Sequence, residues 1–363
     1  MKRVELRDLN KTYKDFSGKT ITVCGWARTV RDSKNIAFVE LNDGAFKSVQ
    51  IVVEKGKIQN YDQVARQNVG ASFEVKGKVI LTPNAQQPFE INAEKIEVLG
   101  ESDADYPLQK KRHTVEFLRT IPTIRARGNL FNAVFRIRSV AAFAIHKYFN
   151  ERNFVYVHTP IITANDCEGA GEMFQVTTLD LNKLPMKDGK VDYSKDFFGQ
   201  KVALTVSGQI HEETITHAFG KTYTFGPTFR AENSNTTRHA AEFWMMEPEI
   251  CFCDLEELMD NEEEMIKYVI SYTLKECHDE FEFLNKFVDT GLLERLDNII
   301  NNKFVRLEYT EAIDILLKAD KKFVFPVKWG INLQAEHERY LTEEVFKKPV
   351  FLKNYPKDIK TFY

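Results

Sequence analysis

The sequence predicts an α+β protein, in which a small five-stranded β-barrel precedes a larger domain with helices flanking an antiparallel sheet. Two observations predict this class. Five segments with strand-like alternation, interrupted by one helical segment, occupy residues 1–100. After residue 129, a long amphipathic pattern and paired strand-like runs alternate with acidic helical segments. A run of strands followed by mixed helices and strands is typical of the α+β class.

Residues 1–100 are predicted to form the first domain. Its strands are expected at 20–28, 36–41, 49–53, 72–81 and 89–98, with a helical pattern at 57–68. The turn signal Asn42-Asp43-Gly44 separates the second strand from the third. This element order matches a barrel of the oligonucleotide-binding (OB) type, and a generic small barrel fits the pattern as well.

A hinge is predicted over residues 101–128. It opens with a polar stretch that ends at Pro107 and then becomes strongly basic. Between residues 110 and 138 a single acidic residue, Glu116, is set against a basic series: Lys110, Lys111, Arg112, Arg119, Arg125, Arg127, Arg136 and Arg138. Such a series often forms only a solvated face, but in a chain of net charge −3 it also favours a polyanionic partner.

The composition excludes several classes of protein. With 363 residues, 43% hydrophobic and 28% charged, the chain has the balance of a globular protein large enough for two domains. No apolar run approaches the roughly 18 residues of a membrane span, and the charged start lacks a signal-peptide core. The five cysteines are odd in number and sparse, which argues against a disulfide framework, and Cys251 and Cys253 have the wrong spacing for a zinc knuckle. We therefore expect a cytoplasmic protein.

Residues 129–363 are predicted to form the second domain. Apolar residues from Phe131 to Phe149 recur with the spacing of an amphipathic helix of about 20 residues. Strands are expected at 154–158, 202–207, 222–229 and 241–250, and acidic helices from 255 to 286. The segment 178–200, rich in Lys, Asp and Gly, is expected to be a surface insertion.

The segment 222–249 is the part of the sequence most informative about a functional site. Two strand-like runs flank a polar loop, with Arg230 just before the loop and His239 just after it. Residues of one parity on adjacent antiparallel strands share a face. One surface is therefore predicted to carry Arg230, Glu232, Phe243, Glu247 and Glu249. Such a face suits an adenine nucleotide, and a charge-paired surface hairpin fits the same pattern.

This segment resembles motif 2 of the class II aminoacyl-tRNA synthetases, in the subgroup for aspartate, asparagine and lysine. The helix and strand that end at Pro160 are similar to the family's motif 1, which forms a dimer interface. Residues 23–32 resemble the opening strand of the family's anticodon-binding barrel. The resemblance covers essentially the whole chain, and it implies a class II catalytic domain, ATP and Mg²⁺ as cofactors, a tRNA partner and a homodimer.

The resemblance also implies roles for individual residues. Arg230 matches the arginine that binds the α-phosphate, and Arg230 and His239 are the expected catalytic residues. Glu232 matches a glutamate near ATP, and Phe243 the ring that stacks on adenine. Arg238 and His239 match the pair at the β- and γ-phosphates. The barrel residues at anticodon-contacting positions are Arg31, Phe38 and Gln50.

The segment 205–213 is expected to select the amino acid. Its candidate binding residues are Ser207, Gln209 and Glu212, joined by Glu247. Aspartyl members of the family resemble one another in having a lysine where this chain has Glu212. A glutamate there repels aspartate and accepts hydrogen bonds from an amide, which asparagine offers. The resemblance is therefore to the asparaginyl members, with asparagine and tRNA(Asn) as substrates.

The loop 165–172 resembles the flipping loop that closes over the bound amino acid in this family. Its candidate residues are Glu168, Gly169 and Gly171. The glycines would give the loop the backbone freedom that closure needs.

The C-terminal part departs from the family pattern. Relatives continue beyond the pattern at 357–363 with acidic Mg²⁺ ligands, an arginine for the substrate carboxylate and motif 3. No Gly-x-Gly-x-x-Arg element occurs in this sequence, and no metal ligand is assigned in it. The second domain is therefore expected to be incomplete, and the chain by itself to be nearly inactive.

The expected function is ATP-dependent ligation of asparagine to tRNA(Asn) through an asparaginyl-adenylate. An aspartyl enzyme is the nearest alternative, and Glu212 argues against it. A non-catalytic tRNA-binding fragment fits if the C-terminal segment is truly absent. A paralogue related to asparagine synthetase is disfavoured, because the anticodon barrel is present.

Overall fold

The computed structural model describes residues 3–167, 172–233 and 239–360. Its N-terminal part contains a closed barrel with the strand order β1-β2-β3-β5-β4. The strands are β1 (Thr20–Asp32), β2 (Ile36–Asn42), β3 (Val49–Glu54), β4 (Ser72–Leu81) and β5 (Phe89–Gly100). All neighbouring pairs are antiparallel except β3 with β5, which is parallel. The predicted five-stranded barrel is confirmed.

Alternating burial along the strands builds the barrel interior. In β4 every second residue from Phe73 to Val79 is buried, and the residues between them face outward. Val39, Ile51 and Ile91 are fully buried in the same core. Because side chains alternate across a strand, the residues between these positions form the outer face of the barrel.

Two short helices accompany the barrel. The sequence did not predict α1 (Leu6–Thr12), whose Leu6 and Leu9 are fully buried in the barrel core. The Leu6 backbone N–H donates to Asp43 Oδ2 at 2.8 Å, which satisfies a donor at the start of α1. The helical pattern at 57–68 corresponds to a shorter helix, α2 (Tyr61–Ala65).

Two helices follow the barrel, α3 (Val115–Thr120) and α4 (Asn129–Glu151). Thr114 caps α3 by accepting a hydrogen bond from the Phe117 N–H at 3.2 Å. The predicted amphipathic helix is α4, and it has 23 residues.

The next part of the chain contains three small sheets. Their strands are β6 (Val155–Tyr156), β7 (Ile162–Thr163), β8 (Gln175–Val176), β9 (Met186–Lys187), β10 (Lys190–Val191), β11 (Val202–Leu204), β12 (Lys221–Phe229) and β13 (Glu242–Ile250). The pairing orders are β13-β12-β6, β7-β11-β8 and β10-β9. Helix α5 (Gln209–Phe219) comes directly before β12. The β9–β10 hairpin lies in the predicted insertion.

The C-terminal part is mostly helical. Its elements are α6 (Leu255–Glu276), α7 (His278–Phe287), α8 (Leu292–Asn301), β14 (Val305–Glu308), α9 (Tyr309–Leu317), α10 (Ala335–Arg339) and β15 (Val350–Lys353). A π-helical turn at Tyr340–Val345 follows α10. Strands β14 and β15 pair in parallel.

The chain divides into two compact units. One contains the residues up to Val140 together with Thr273–Glu294, and the other contains Ala141–Tyr272 together with the residues from Arg295 onward. The domain boundaries predicted above, at 1–100, 101–128 and 129–363, stay predictions.

An aromatic core fixes the main sheet of the second unit. Tyr148 and Phe149 of α4 are fully buried and pack with Phe154 and Tyr223. The Phe149 and Tyr223 rings stack with their centres 4.5 Å apart. One face of the β12–β13 pair is thereby covered by α4, which leaves the opposite face for other contacts.

Candidate functional site

The face of β12–β13 that points away from this core is polar. Its cross-strand pairs are Thr222 with Glu249, Thr224 with Glu247 and Thr228 with Phe243. Phe243, Glu247 and Glu249 therefore share a face, as the alternation of side chains along paired strands predicts. We take this face, with α5 beside it, as the candidate active site.

Arg230 closes one end of this face. Its backbone N–H donates to the Ala241 carbonyl at 3.1 Å, which extends the pairing beyond β12 and β13. The guanidinium carbon lies 5.6 Å from the centre of the Phe243 ring. One Nη–H donates to the Val206 carbonyl at 3.5 Å, whereas Nε is buried and has no hydrogen-bond partner among the described residues. A cation with an open donor beside an aromatic ring suits the phosphate of a stacked nucleotide.

Glu247 is held by the turn that precedes α5. The Ser207 hydroxyl donates to Glu247 Oε1, and the Gly208 N–H donates to Oε2 at 3.2 Å. The Ser207 oxygen in turn accepts from the Gln209 N–H at 3.1 Å. The sequence predicts Glu247 as an acceptor for substrate, and in the structure both of its oxygens already accept bonds from the protein. Glu247 therefore fixes the position of Ser207 and Gly208.

Gly208 is required by close packing at the same turn. A Cβ atom at this position would lie 2.5 Å from Thr159 Oγ1 and 2.9 Å from Thr224 Cγ2. Both distances are shorter than real side chains tolerate, and threonine is stiff at χ1. The missing side chain lets the start of α5 approach β12.

Glu212 is the buried carboxylate of the site. Its side chain is fully buried, Oε1 accepts from the Thr222 hydroxyl at 2.8 Å, and Oε2 has no partner in the part of the chain that the structure describes. The pKa of Glu212 is raised to about 7, mainly by burial and also by the negative charges of Glu249 and Glu247, while hydrogen bonds from the Thr222 hydroxyl and the Thr224 backbone N–H oppose the rise. An unpartnered buried acceptor among carboxylates suits a neutral hydrogen-bond donor.

Gln209 lies on the exposed side of the α5 N-terminus. Its Nε2 donates to Glu213 Oε1 at 2.9 Å, and its Oε1 accepts a long contact from Cys167 Sγ at 4.0 Å. The Glu172 carbonyl accepts from the Ala231 N–H at 2.8 Å. Two residues of the predicted flipping loop, on either side of its undescribed segment 168–171, therefore contact Gln209 and Ala231.

The structure does not describe every predicted site residue. Glu168, Gly169, Gly171 and Arg238 lie outside the described residues. Glu232 and His239, which flank the undescribed segment 234–238, are exposed. Their predicted roles toward ATP stay predictions.

A cleft opens beside the polar face. It is lined by His158, Thr159, Thr205, Gly208, Thr228 and Glu247, together with neighbouring residues of β6 and β12. The Thr159 and Thr224 hydroxyls lie 3.3 Å apart along its wall. A small ligand in this cleft would contact Glu247 directly.

The barrel carries a second candidate site on its outer face. Arg31 and Phe38 are cross-strand neighbours on β1 and β2, and the guanidinium carbon lies 5.6 Å from the ring centre. Phe38 is half-buried, whereas its neighbours Ala37 and Val39 are fully buried in the core. Phe38 is therefore not a core residue, and its ring is available for stacking.

Gln50 lies on the same outer face but has a partner that the sequence did not reveal. Its Nε2 donates to Glu90 Oε2 at 3.2 Å, across to β5. The alternation of Phe89, Glu90 and Ile91, with only the outer two buried, is the signal that could have placed Glu90 on this face.

The basic residues of the predicted hinge divide into two groups. Arg125 lies over the Phe131 ring at 4.9 Å, and Arg127 over the Trp26 ring at 4.5 Å, so both pack within the protein. The other four basic residues of the hinge are exposed: Lys110, Lys111, Arg112 and Arg119. Only this second group is presented to an external polyanion.

Residues 3–167, 172–233 and 239–360 contain no group of three or more His, Cys, Asp or Glu side chains that could hold a metal ion. In the same ranges no helix combines the length and apolar character needed to cross a membrane.

Two known families match the two parts of the chain. Residues 115–363 match the family described as tRNA synthetases class II (D, K and N), and residues 21–99 match the OB-fold nucleic acid binding domain. The chain therefore belongs to the class II tRNA synthetases of the aspartate, lysine and asparagine group.

Among curated proteins, the chain is similar to enzymes named asparagine--tRNA ligase. It is 60% identical to that of Acetivibrio thermocellus and 57% identical to that of Clostridium tetani, in each case over 100% of this chain and 79% of the relative. Among solved structures, asparaginyl-tRNA synthetase from Pyrococcus horikoshii complexed with asparaginyl-adenylate matches with a TM-score of 0.83 and 27% identity. That match covers 100% of this chain and 76% of the other.

Proposed function

We propose that the protein ligates asparagine to tRNA(Asn) in two steps, consuming ATP and passing through an asparaginyl-adenylate. The observation that carries this proposal is the buried, unpartnered Oε2 of Glu212 on α5, beside the polar face that carries Glu247 and Glu249. The similarity to asparagine--tRNA ligases and to a structure complexed with asparaginyl-adenylate supports the same reaction.

In the first step, the asparagine α-carboxylate attacks the α-phosphorus of ATP in line, and pyrophosphate leaves. Arg230 neutralises the charge that develops on the α-phosphate, with its unpartnered Nε as the free donor. Phe243 holds the adenine by stacking, and it thereby orients the phosphate toward the carboxylate. No protein nucleophile is required.

The amino acid is selected by charge and hydrogen-bond complementarity. Glu212 accepts a hydrogen bond from the side-chain amide of asparagine, while Ser207, Gln209 and Glu247 complete the amino-acid subsite. Aspartate offers a carboxylate instead, which the cluster of Glu212, Glu247 and Glu249 repels. An aspartyl enzyme is therefore disfavoured.

In the second step, a hydroxyl of the terminal tRNA ribose attacks the carbonyl carbon of the mixed anhydride, and AMP leaves. We assign Arg31, Phe38 and Gln50 to the anticodon bases, because an exposed ring beside a guanidinium can stack and hydrogen-bond unpaired bases. The exposed basic group at 110–119 is assigned to the tRNA backbone.

The two loops are assigned on the family pattern. Glu232, Arg238 and His239 would contact ATP, the latter two at the β- and γ-phosphates. Glu168, Gly169 and Gly171 would close over the bound amino acid. Glu172 and Ala231 tie these two loops together by one backbone hydrogen bond of 2.8 Å.

Mg²⁺ is proposed to accompany ATP. The described residues do not fit a protein-held metal site, because they contain no cluster of metal-ligating side chains. We therefore derive no step through the metal, and the residues discussed above act on the nucleotide directly.

We further propose that the protein is a cytoplasmic homodimer. Helix α4 exposes Val134, Phe135 and Phe143, which are 41%, 41% and 57% accessible. These side chains lie on the helix that resembles motif 1, and pairing with a second copy would remove them from water.

The test is ATP–pyrophosphate exchange by the full-length protein, measured with each of the twenty amino acids. We expect asparagine to support exchange far more strongly than the others. Preference for aspartate would establish the alternative enzyme. Exchange with no amino acid, combined with retained tRNA binding, would favour a non-catalytic tRNA-binding protein.

A further inference from the structure

The insertion at 178–200 displays a pair of aromatic rings at the surface. Phe197 and Phe198 are 77% and 47% accessible, and their rings meet edge to face with centres 4.8 Å apart. Three further apolar side chains of the insertion are exposed: Leu181, Leu184 and Met186. Apolar side chains concentrated in one exposed segment are typical of an interaction surface.

A buried carboxylate holds the aromatic pair in place. Asp196 is buried and accepts hydrogen bonds from the Thr177 hydroxyl at 2.6 Å and the Thr178 hydroxyl at 2.8 Å. It also accepts from the Thr178 N–H at 3.0 Å and the Phe197 N–H at 2.8 Å. The Thr177 hydroxyl and the other donors hold the pKa of Asp196 well below its usual range. Because these bonds join the two ends of the insertion, the backbone that carries the rings is fixed.

The charged side chains of the same segment differ in exposure. Five lysines between residues 178 and 201 are exposed, and none of them forms an ion pair with a described side chain: Lys183, Lys187, Lys190, Lys195 and Lys201. Of the four aspartates in this range, Asp180 and Asp188 are exposed. Asp192 is half-buried and Asp196 is buried. Aromatic rings among unpaired cations fit a partner that offers phosphates and unpaired bases.

The insertion begins and ends beside the candidate active site. It leaves from β8 and returns through β11, and these two strands pair with each other. β11 leads into Thr205, whose carbonyl accepts from the Phe229 N–H of β12 at 2.9 Å, and then into the turn with Ser207. Since nine residues separate Phe198 from Ser207, their Cα atoms are at most about 32 Å apart.

We propose that this insertion, with Lys201 next to it, is a contact surface for the acceptor end of the tRNA, where Phe197 and Phe198 stack on unpaired bases and the lysines meet phosphates. This inference rests on the proposed function. The terminal ribose must reach the adenylate, so the nucleotides before it pass close to the turn at Ser207. A second copy of the chain fits less well, because a two-fold interface through this segment would bring its lysines against the same lysines.

The experiment measures tRNA(Asn) binding by the full-length protein with Phe197→Ala, Phe197→Leu and Phe197→Trp. The probes are intact tRNA(Asn) and the same tRNA shortened by its unpaired 3′ nucleotides. Affinity for the intact tRNA should fall on the order of 10-fold for Phe197→Ala and Phe197→Leu, and Phe197→Trp should keep it, because stacking needs a ring. All three variants should bind the shortened tRNA as the wild type does. Asparagine-dependent pyrophosphate exchange and the Tm should not change.

Two charge variants test the lysines. Lys201→Gln should lower the slope of log affinity against log salt concentration by about one, since one phosphate contact is lost. Asp188→Asn removes an exposed negative charge and should bind no more weakly than the wild type. The matched aromatic control is Phe252→Ala, because Phe252 is fully accessible but lies after β13, and it should bind both tRNAs as the wild type does.

Three results would overturn the inference while the proposed function stands. Wild-type affinity of Phe197→Ala or Phe197→Leu for the intact tRNA would show that no base stacks on the ring. Equal weakening toward the intact and the shortened tRNA would place the contact elsewhere on the tRNA. A lower Tm, a failure to fold or a shift from dimer to monomer in sedimentation would show that protein covers the rings. Failure of the wild type to charge tRNA(Asn) would instead overturn the proposed function, and this inference with it.

Discussion

The Arg230 guanidinium lies over the Phe243 ring, 5.6 Å from its centre, at the end of the polar face of β12–β13. The two residues are thirteen positions apart on either side of a loop, since Arg230 follows β12 and Phe243 is near the start of β13. The pairing of Arg230 N–H with the Ala241 carbonyl holds them in register. A stacked base and a bound phosphate would therefore be fixed by one hairpin.

Arg230→Lys should lower the rate of asparagine-dependent pyrophosphate exchange about 100-fold, since it removes a directed donor at the reacting phosphate. Lysine keeps the positive charge but lacks the planar guanidinium group. In Arg230 one Nη of this group donates to the Val206 carbonyl, and Nε has no partner among the described residues. The measurement is kcat and KM for ATP. Arg339→Lys, at an exposed arginine of α10, is the control and should leave both unchanged. Near-wild-type exchange by Arg230→Lys would exclude this role.

Glu212→Gln should raise the stability of the protein and lower its activity. Because the folded-state pKa of Glu212 is raised from 4.5 to about 7, the folded protein keeps a proton that the unfolded chain releases between these values. Stability therefore falls as pH rises through this window, and the full cost is present above pH 7. The neutral glutamine should raise the Tm at pH 8 more than at pH 5, while asparagine exchange falls about tenfold or more.

The control for this variant is Glu242→Gln, at an exposed glutamate of β13, which should give a pH-independent difference in Tm. Thermal unfolding is followed at pH 5, 6, 7 and 8. An asparagine-to-aspartate ratio unchanged within about threefold would mean that Glu212 is not the selector.

The sequence predicted the barrel strands and the shared face of β12 and β13, because alternation along these strands reports directly which side chains face the core. It missed α1, whose seven residues are too few for a clear helical period and whose stability comes from burying Leu6 and Leu9. It also missed the hydrogen bond from Thr222 to Glu212. Threonine is common in strands, and nothing local reveals that its hydroxyl meets a carboxylate ten residues away.

Phe38→Ala and Gln50→Ala should weaken tRNA charging and leave asparagine-dependent exchange intact. Losing a stacked base costs about 1–3 kcal/mol, or on the order of 10- to 100-fold in binding. Phe38 is half-buried on the outer face, so its loss should not open a cavity in the core. Val39→Ala, at a fully buried neighbour, is the contrasting variant and should lower the Tm instead. Equal loss of exchange and charging in Phe38→Ala would contradict the assignment.

Gly208→Ala should destabilise the protein by about 1–3 kcal/mol, because the added Cβ overlaps Thr159 and Thr224. Asparagine exchange should fall as well, since the Gly208 N–H that holds Glu247 would be displaced. The stability control is Gly226→Ala in β12, where an added Cβ meets no atom within 4 Å among the described residues. Denaturant unfolding of the two variants gives the comparison. Equal stability of both variants would show that the turn adjusts without cost.

Phe143→Ser should weaken the proposed homodimer. Phe143 is 57% accessible on α4, and exchanging an aromatic ring for a hydroxymethyl group removes apolar area that association would bury. Sedimentation velocity of the full-length protein at micromolar concentration should show a dimer for the wild type and a shift toward monomer for the variant. Phe252→Ser is the matched control, since Phe252 is fully accessible but lies after β13 rather than on α4, and it should remain dimeric. A monomeric wild type, or a monomer only for Phe252→Ser, would refute pairing through α4.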